Sequence, residues 1–90
     1  MAKASAHVST LRAVIKEAVG EERYRDMLIF CDRRTHDYRF KICGNKLTLE
    51  ERRDIESKMA DKGIRVCSED KVTTSFRGPR SSIYFYVPIA

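Results

Sequence analysis

MLIFCDRRTHDYRFKIC, residues 27–43, is the stretch that decides the fold of this chain. Residues 27–32 are almost continuously apolar, which predicts a short strand buried on both faces. Residues 38–43 alternate strictly between apolar and polar side chains, as a strand with one buried and one solvated face does. The polar segment 33–37 between them is short enough for a turn, so the two strands are predicted to pair as a hairpin.

A helix is predicted before this hairpin. Apolar side chains recur at helical spacing from His7 to Val19, with charged side chains on the opposite side. Gly20 is well placed to end the helix. Residues 21–26 are predicted to form either a charged turn or a short helical continuation.

A second helix is predicted after the hairpin. Thr48 and Glu51 have the spacing of a capping box, which marks the start of a helix. Gly63 is expected to follow its last residue. The apolar stripe of this helix is thin, which indicates a helix on the surface of the domain. The stripe consists of Leu49, Ile55 and Met59.

The remaining sequence predicts three more strands. These are residues 64–67, 72–77 and 83–87, with turns at residues 68–71 and 78–81. The element order is therefore α-β-β-α-β-β-β. This order predicts an α+β domain with a single antiparallel sheet of about five strands and two helices on one face.

The composition indicates one small domain that spans residues 1–90, with residues 1–6 as a disordered tail. A chain of 90 residues buries about 60–65% of its unfolded surface, which leaves little room for a deep active site. Eighteen Lys and Arg against thirteen Asp and Glu give a net charge of +5. This mild excess favours nucleic acids or acidic protein surfaces as partners.

The cysteines and the apolar runs suggest where the protein works. Cys31, Cys43 and Cys67 are odd in number and widely spaced, unlike a disulfide framework. No secretory signal is evident at the start of the chain, so a reducing, cytoplasmic location is predicted. The apolar runs are too short to cross a bilayer, so no membrane partner is expected.

Alternation along the strands also sorts their side chains into two faces. The set predicted to point into the core consists of Tyr38, Phe40, Ile42, Ile64, Val66, Val72, Thr74, Phe76, Ile83, Phe85 and Val87. The set predicted to point outward consists of Arg39, Lys41, Arg65, Thr73, Ser75, Arg77, Tyr84 and Tyr86. The outward set holds four cations, two tyrosines and no carboxylate.

This outward set predicts a binding face. Cations can contact phosphates while bases stack on exposed tyrosine rings, so a nucleic acid is the expected partner, with single strands favoured. Arg33, Arg34 and Arg80, placed in adjacent turns, are predicted to extend the positive field. The predicted function is that of a small, non-enzymatic nucleic-acid-binding module.

Two alternatives use the same residues. Tyr and Arg are common interface anchors, so the face also suits a protein-binding inhibitor or adaptor, of the kind found among viral and mobile-element accessory proteins. Such a protein would dock onto or block a macromolecular complex that handles nucleic acid. Thr, Tyr, Arg and Lys are also ordinary residues of a solvated strand face. The oligomeric state is left open, and a homodimer is compatible with an exposed sheet edge.

Catalytic and metal-binding motifs are not evident. Cys31, His36, Cys43 and Cys67 are the candidate zinc ligands, but their spacing matches no zinc finger or ribbon. A Cys31–His36 pair lacks an evident orienting acid, and no Gly-rich phosphate loop occurs. No metal, cofactor or catalytic residue is therefore predicted.

Overall fold

The computed structural model describes residues 6–44 and 47–89. Its elements are α1 (Ala6–Val19), α2 (Glu21–Asp26), β1 (Ile29–Arg33), β2 (Asp37–Cys43), α3 (Leu49–Asp61), β3 (Cys67–Ser75) and β4 (Gly78–Pro88). The predicted α+β class with one antiparallel sheet is confirmed. Within the described residues the sheet has four strands, not five, and there are three helices. Of the predicted tail, residues 1–5 lie outside the description, and Ala6 already belongs to α1.

The strands lie in the order β1-β2-β4-β3, and every neighbouring pair is antiparallel. The two strands with the clearest alternation, β2 and β4, are therefore central. The predicted hairpin between β1 and β2 is confirmed by their register, in which Ile29 pairs with Ile42 and Arg33 with Tyr38.

One face of the sheet carries the core. Phe40 and Phe85 are direct partners on β2 and β4, and both are completely buried. Leu11 and Ile15 from α1 pack into the same cluster, as does Ile55 from α3. Both long helices thus cover this face. Their apolar stripes and the inward residues of the central strands bury one another.

The predicted helix ends are largely confirmed. The chain leaves α1 at Gly20, whose φ of 91° favours glycine, and α2 follows as the short helical continuation. The Thr48 side chain accepts a hydrogen bond from the Glu51 amide, and the Glu51 carboxylate accepts one from the Thr48 amide. The predicted apolar stripe of α3 is wrong at Leu49, which is 58% exposed because it lies in the first turn, away from the core.

The prediction of a strand at residues 64–67 is wrong. Ile64 and Val66 are buried, as predicted, but they belong to the connection between α3 and β3. The predicted turn at residues 68–71 is instead part of β3. Its polar side chains contact the helix layer. Arg52 of α3 donates hydrogen bonds to Asp70 at 2.9 Å and to Ser68 at 3.1 Å.

The end of the β3–β4 hairpin also differs from the prediction. The turn lies at residues 76–77, and the predicted turn at residues 78–81 belongs to β4. Val72, Thr74 and Phe76, which were predicted to enter the core, are all exposed. The reason is that β2 ends where Cys43 pairs with Ser82, so within the described residues β3 and β4 continue beyond that row as a two-stranded hairpin.

Strand β1 is an edge strand and is not buried on both faces as predicted. It begins at Ile29 instead of Met27, and only its Ile29 and Cys31 side chains pack against the core. Phe30 is 50% exposed and Leu28, just before the strand, is 58% exposed. An apolar run at an edge strand buries one face only, because no helix covers the other.

Candidate functional site

The sheet face opposite the helices, named the open face here, is where the predicted binding residues belong. Paired residues of neighbouring strands share a face. The register therefore assigns to it Phe30, Asp32, Asp37, Arg39, Lys41, Cys43, Cys67, Glu69, Lys71, Thr73, Arg80, Ser82, Tyr84 and Tyr86. Four of the nine predicted binding residues, Arg39, Lys41, Tyr84 and Tyr86, lie next to one another in its centre.

The expectation that this face lacks carboxylates is wrong. Asp32 lies 3.1 Å from the Arg39 guanidinium across the β1–β2 pair. Glu69 is on the face because the segment predicted as a turn is a strand, and Asp37 lies at the start of β2. Asp32 and Asp37 lie at the end of the face near Tyr86, whereas Glu69 shares a row with Tyr84 and Lys41 and reaches the Tyr86 hydroxyl with its carboxylate.

Tyr84 is buried, although it was predicted to be an exposed ring. The Arg39 guanidinium and the Lys71 ammonium each lie 5.6 Å from the centre of its ring. Long cationic side chains can lie along apolar surface while their charged ends remain in water, and a cation over an aromatic ring is attracted to it. The Tyr84 ring is therefore an apolar surface against which the Arg39 and Lys71 side chains lie.

Tyr86 is held by its neighbours in a similar way. Its hydroxyl donates a hydrogen bond to the Glu69 carboxylate at 2.5 Å, and the Arg34 guanidinium lies 5.4 Å from its ring centre. Burial and the hydrogen bond to Glu69 raise the pKa of the Tyr86 phenol. Tyr84 and Tyr86 contact each other as tilted rings with centres 6.3 Å apart. Each of the two rings thus has at least one cation close to it.

The structure places three other predicted binding residues away from the open face. Arg65 lies in the connection before β3, because residues 64–66 are not a strand. Arg33 is the last residue of β1, not part of a turn, and its pairing with Tyr38 puts it on the helix side of the sheet. Arg77 is exposed in the turn at the end of the β3–β4 hairpin. Arg34 lies in the turn after β1, as predicted, and Arg80 lies on β4 instead of in a turn.

Three cations that lead from the centre of the open face toward the β3–β4 turn form what we name the cationic strip: Lys41, Lys71 and Arg80. Lys41 and Arg80 line one shallow hollow, together with Thr73 and Ser82. No carboxylate is among the described residues that line this hollow. The strip residues also form no ion pair within residues 6–44 and 47–89. None of the three charges is therefore neutralised by an ion pair in the described part of the chain.

Sequence reasoning missed Lys71 and misplaced Phe76. Lys71 was predicted to lie in a turn, yet it shares a row with Ser82 on the open face. Phe76 was predicted to be in the core, yet it is fully exposed at the hairpin turn. A signal was available in Gly78, since glycine just after a two-residue turn supplies the positive φ (106°) that this hairpin has.

The cysteines and His36 are dispersed. Cys31 lies on the core side, while Cys43 and Cys67 lie on the open face, two strands apart. All three are free thiols, and His36 is exposed in the turn before β2. Among the residues that the structure describes, no group of three or more His, Cys, Asp or Glu side chains could hold a metal ion.

No model of a known protein family matches the chain, and no curated protein matches it. In the described part of the chain, no helix has the length and apolar character required to cross a membrane.

Proposed function

We propose that this protein binds nucleic acid through phosphate contacts on the open face. The observation that carries the proposal is the hollow in which Lys41 and Arg80 lie together with hydroxyl side chains and without a carboxylate. Lys and Arg are the side chains that contact phosphates most often, and hydroxyl groups of Ser and Thr donate to phosphate oxygens as well. Lys71 continues the same positive strip onto β3.

The rest of the face supports a phosphate-binding role better than a base-stacking role. Arg39 lies over the Tyr84 ring and Arg34 over the Tyr86 ring, so a base that stacked on either ring would compete with a cation already there. The predicted preference for single strands required bases to stack on exposed tyrosine rings. Phosphate contacts by cations and hydroxyl groups are possible with single strands and duplexes alike.

The experiment compares two triple variants with the same net charge. One removes the cationic strip by Lys41→Ala, Lys71→Ala and Arg80→Ala. The control removes three exposed cations outside the open face, by Arg25→Ala, Arg53→Ala and Lys62→Ala. Fluorescence-anisotropy titrations with labelled oligonucleotides over a range of salt concentrations then give Kd and its salt dependence.

The strip variant should bind much more weakly, and the control variant nearly as well as wild type. Each phosphate contact contributes about 0.9 to the slope of log K against log salt for duplex DNA, so loss of three contacts should reduce the slope by about 2.7. Equal losses in the two variants would mean that only net charge matters, and the assignment to the open face would be wrong.

A protein-binding role remains the second candidate, supported by a different observation. Leu28 and Phe30 are exposed apolar side chains at the edge of the sheet, and Phe30 of β1 lies on the open face itself. Exposed apolar side chains with polar surroundings are typical of protein interfaces. A nuclease-treated pull-down that recovers one stoichiometric protein, and loses it with Phe30→Ala, would favour an inhibitor or adaptor over a nucleic-acid-binding module.

A further inference from the structure

The end of the β3–β4 hairpin forms an arm, which we define as residues 72–81. Its paired rows run from Val72 with Ser81 to Ser75 with Gly78, four rows in all. At about 3.3 Å per residue these rows give a length of about 13 Å. At its base, the Ser81 carbonyl accepts a hydrogen bond from the Gly44 amide at 2.9 Å. Residues 72–74, 76, 77 and 79–81 are all exposed, so the arm is a two-stranded ribbon that stands out from the sheet.

The charge and side chains of the arm point to a polyanion. The segment from Lys71 to Ser82 contains three cations and no acid. The side chains of Thr73, Thr74, Arg80 and Ser81 are exposed along it. Phe76 at the tip is fully exposed, which leaves a large apolar ring in water with no contact that explains its position.

We infer that this arm enters the major groove of duplex DNA, with Phe76 at the floor of the groove. The inference rests on the proposed function, because the cationic strip, which runs from Lys41 and Lys71 to Arg80 in the arm, would contact the phosphates on the groove's rim. The major groove of B-DNA is about 12 Å wide and about 8.5 Å deep, and it admits a two-stranded ribbon. An arm of about 13 Å is long enough to reach the base edges.

The chemistry of the arm matches what base pairs present in that groove. Hydroxyl groups such as those of Thr73 and Thr74 can bond to either kind of base pair, and an aromatic ring such as that of Phe76 can contact the thymine methyl group. Double-stranded RNA has a deep, narrow major groove that side chains do not read, so the arm should have no place there. The arm's apolar surface consists mainly of Val72, Phe76 and Pro79, which is less than a membrane-inserting surface requires.

The experiment uses a short alternating A·T DNA duplex and the same duplex with uracil in place of thymine. The full chain is compared with Phe76→Ala, and with Leu49→Ala as a control that shortens an exposed apolar side chain on α3. Both changed positions are exposed, so neither variant should unfold. Wild type and Leu49→Ala should bind the uracil duplex about threefold to fourfold more weakly, the effect of one buried methyl group. Phe76→Ala should bind both duplexes equally, and wild type should prefer the DNA duplex to an RNA duplex.

The outcomes distinguish failure of the groove-binding role of the arm from failure of the phosphate contacts on the open face. If Phe76→Ala distinguishes thymine from uracil as wild type does, the arm is not in the groove, although the phosphate contacts of the strip stand. If Phe76→Ala instead loses binding to vesicles of neutral and anionic phospholipid while its DNA binding is unchanged, the arm is a membrane contact and the inference is wrong. No binding to any DNA or RNA, in wild type as well, would overturn the proposed function together with the arm.

Discussion

Removal of one acid from the open face should strengthen nucleic-acid binding. Asp32 accepts a hydrogen bond from the Arg39 guanidinium at 3.1 Å, and 62% of its side chain is exposed. Asp32→Asn keeps the shape of the side chain but removes the charge that neutralises Arg39. The guanidinium is then available for a phosphate. An exposed ion pair contributes about 0–1 kcal/mol to stability, so the variant should remain folded.

The size of the effect follows from counterion release. One additional phosphate contact adds about 0.9 to the salt slope, which over one decade of salt is about an eightfold change in affinity. Kd at about 0.1 M salt should therefore fall up to about eightfold, and this gain should vanish as the salt concentration approaches about 1 M. Anisotropy titration of wild type and variant at several salt concentrations measures both quantities.

Asp54→Asn is the matched control for this change. Asp54 also forms an ion pair, with Lys58 at 3.4 Å, but it lies on α3, away from the open face. Both variants gain the same net charge, so any difference between them reports position. If Asp32→Asn binds no more tightly than Asp54→Asn, or more weakly than wild type, Arg39 does not contact phosphate.

Two further predictions concern the ionisable groups of the domain. The hydrogen bond from Arg23 holds the pKa of Glu51 at about 2, below its usual value of 4.5. A lowered pKa means that this carboxylate stabilises the fold above pH 4.5 and that the contribution is lost as the pH falls toward 2. The difference in unfolding free energy between wild type and Glu51→Gln, measured by urea denaturation, should therefore shrink over that range, and a constant difference would contradict the assignment. Burial raises the pKa of the Cys31 thiol, whereas Cys67 is exposed. Since the thiolate is the reactive form, iodoacetamide should modify Cys67 well before Cys31 in the native protein, and equal rates would contradict the burial of Cys31.

The elements that the sequence predicted well are those with strong local signals. The alternation of β2 and of the second half of β4 matched a sheet with one buried face, because both strands are central and packed against helices. The capping box of Thr48 and Glu51 marked the start of α3, because those contacts are local and need no tertiary partner.

The failures cluster in β3, where structure depends on distant partners. Its first half, CSEDK, has little intrinsic strand propensity. That segment becomes a strand because it pairs with β4 and because Arg52 bonds to Ser68 and Asp70. Residues 64–66 were predicted to be a strand because their apolar side chains alternate. Ile64 and Val66 are indeed buried, but a buried segment need not pair with a strand. Because β3 runs from Cys67 to Ser75, Glu69 lies on the open face and Phe76 lies in the turn instead of in the core.

The face on which the predicted residues lie could be read from the sequence better than the arrangement of their side chains. Arg39, Lys41, Tyr84 and Tyr86 do share one face, because alternation fixes the side of each strand. Whether the tyrosine rings are free could not be read from alternation. The exposure of the rings depends on neighbouring cations such as Arg39 and Lys71, which come from strands far apart in the sequence.

The most direct test of the central claim is the salt dependence of nucleic-acid binding by the wild-type protein. Purified, nuclease-treated protein is titrated against labelled single- and double-stranded DNA and RNA at salt concentrations from about 0.05 to 0.4 M. Engagement of Lys41, Lys71 and Arg80 with phosphates predicts binding at low salt with a slope of log K against log salt of about −2.7 or steeper for duplex DNA. Absence of binding at the lowest salt, or a slope near zero, would contradict the assignment of the open face to phosphate contacts.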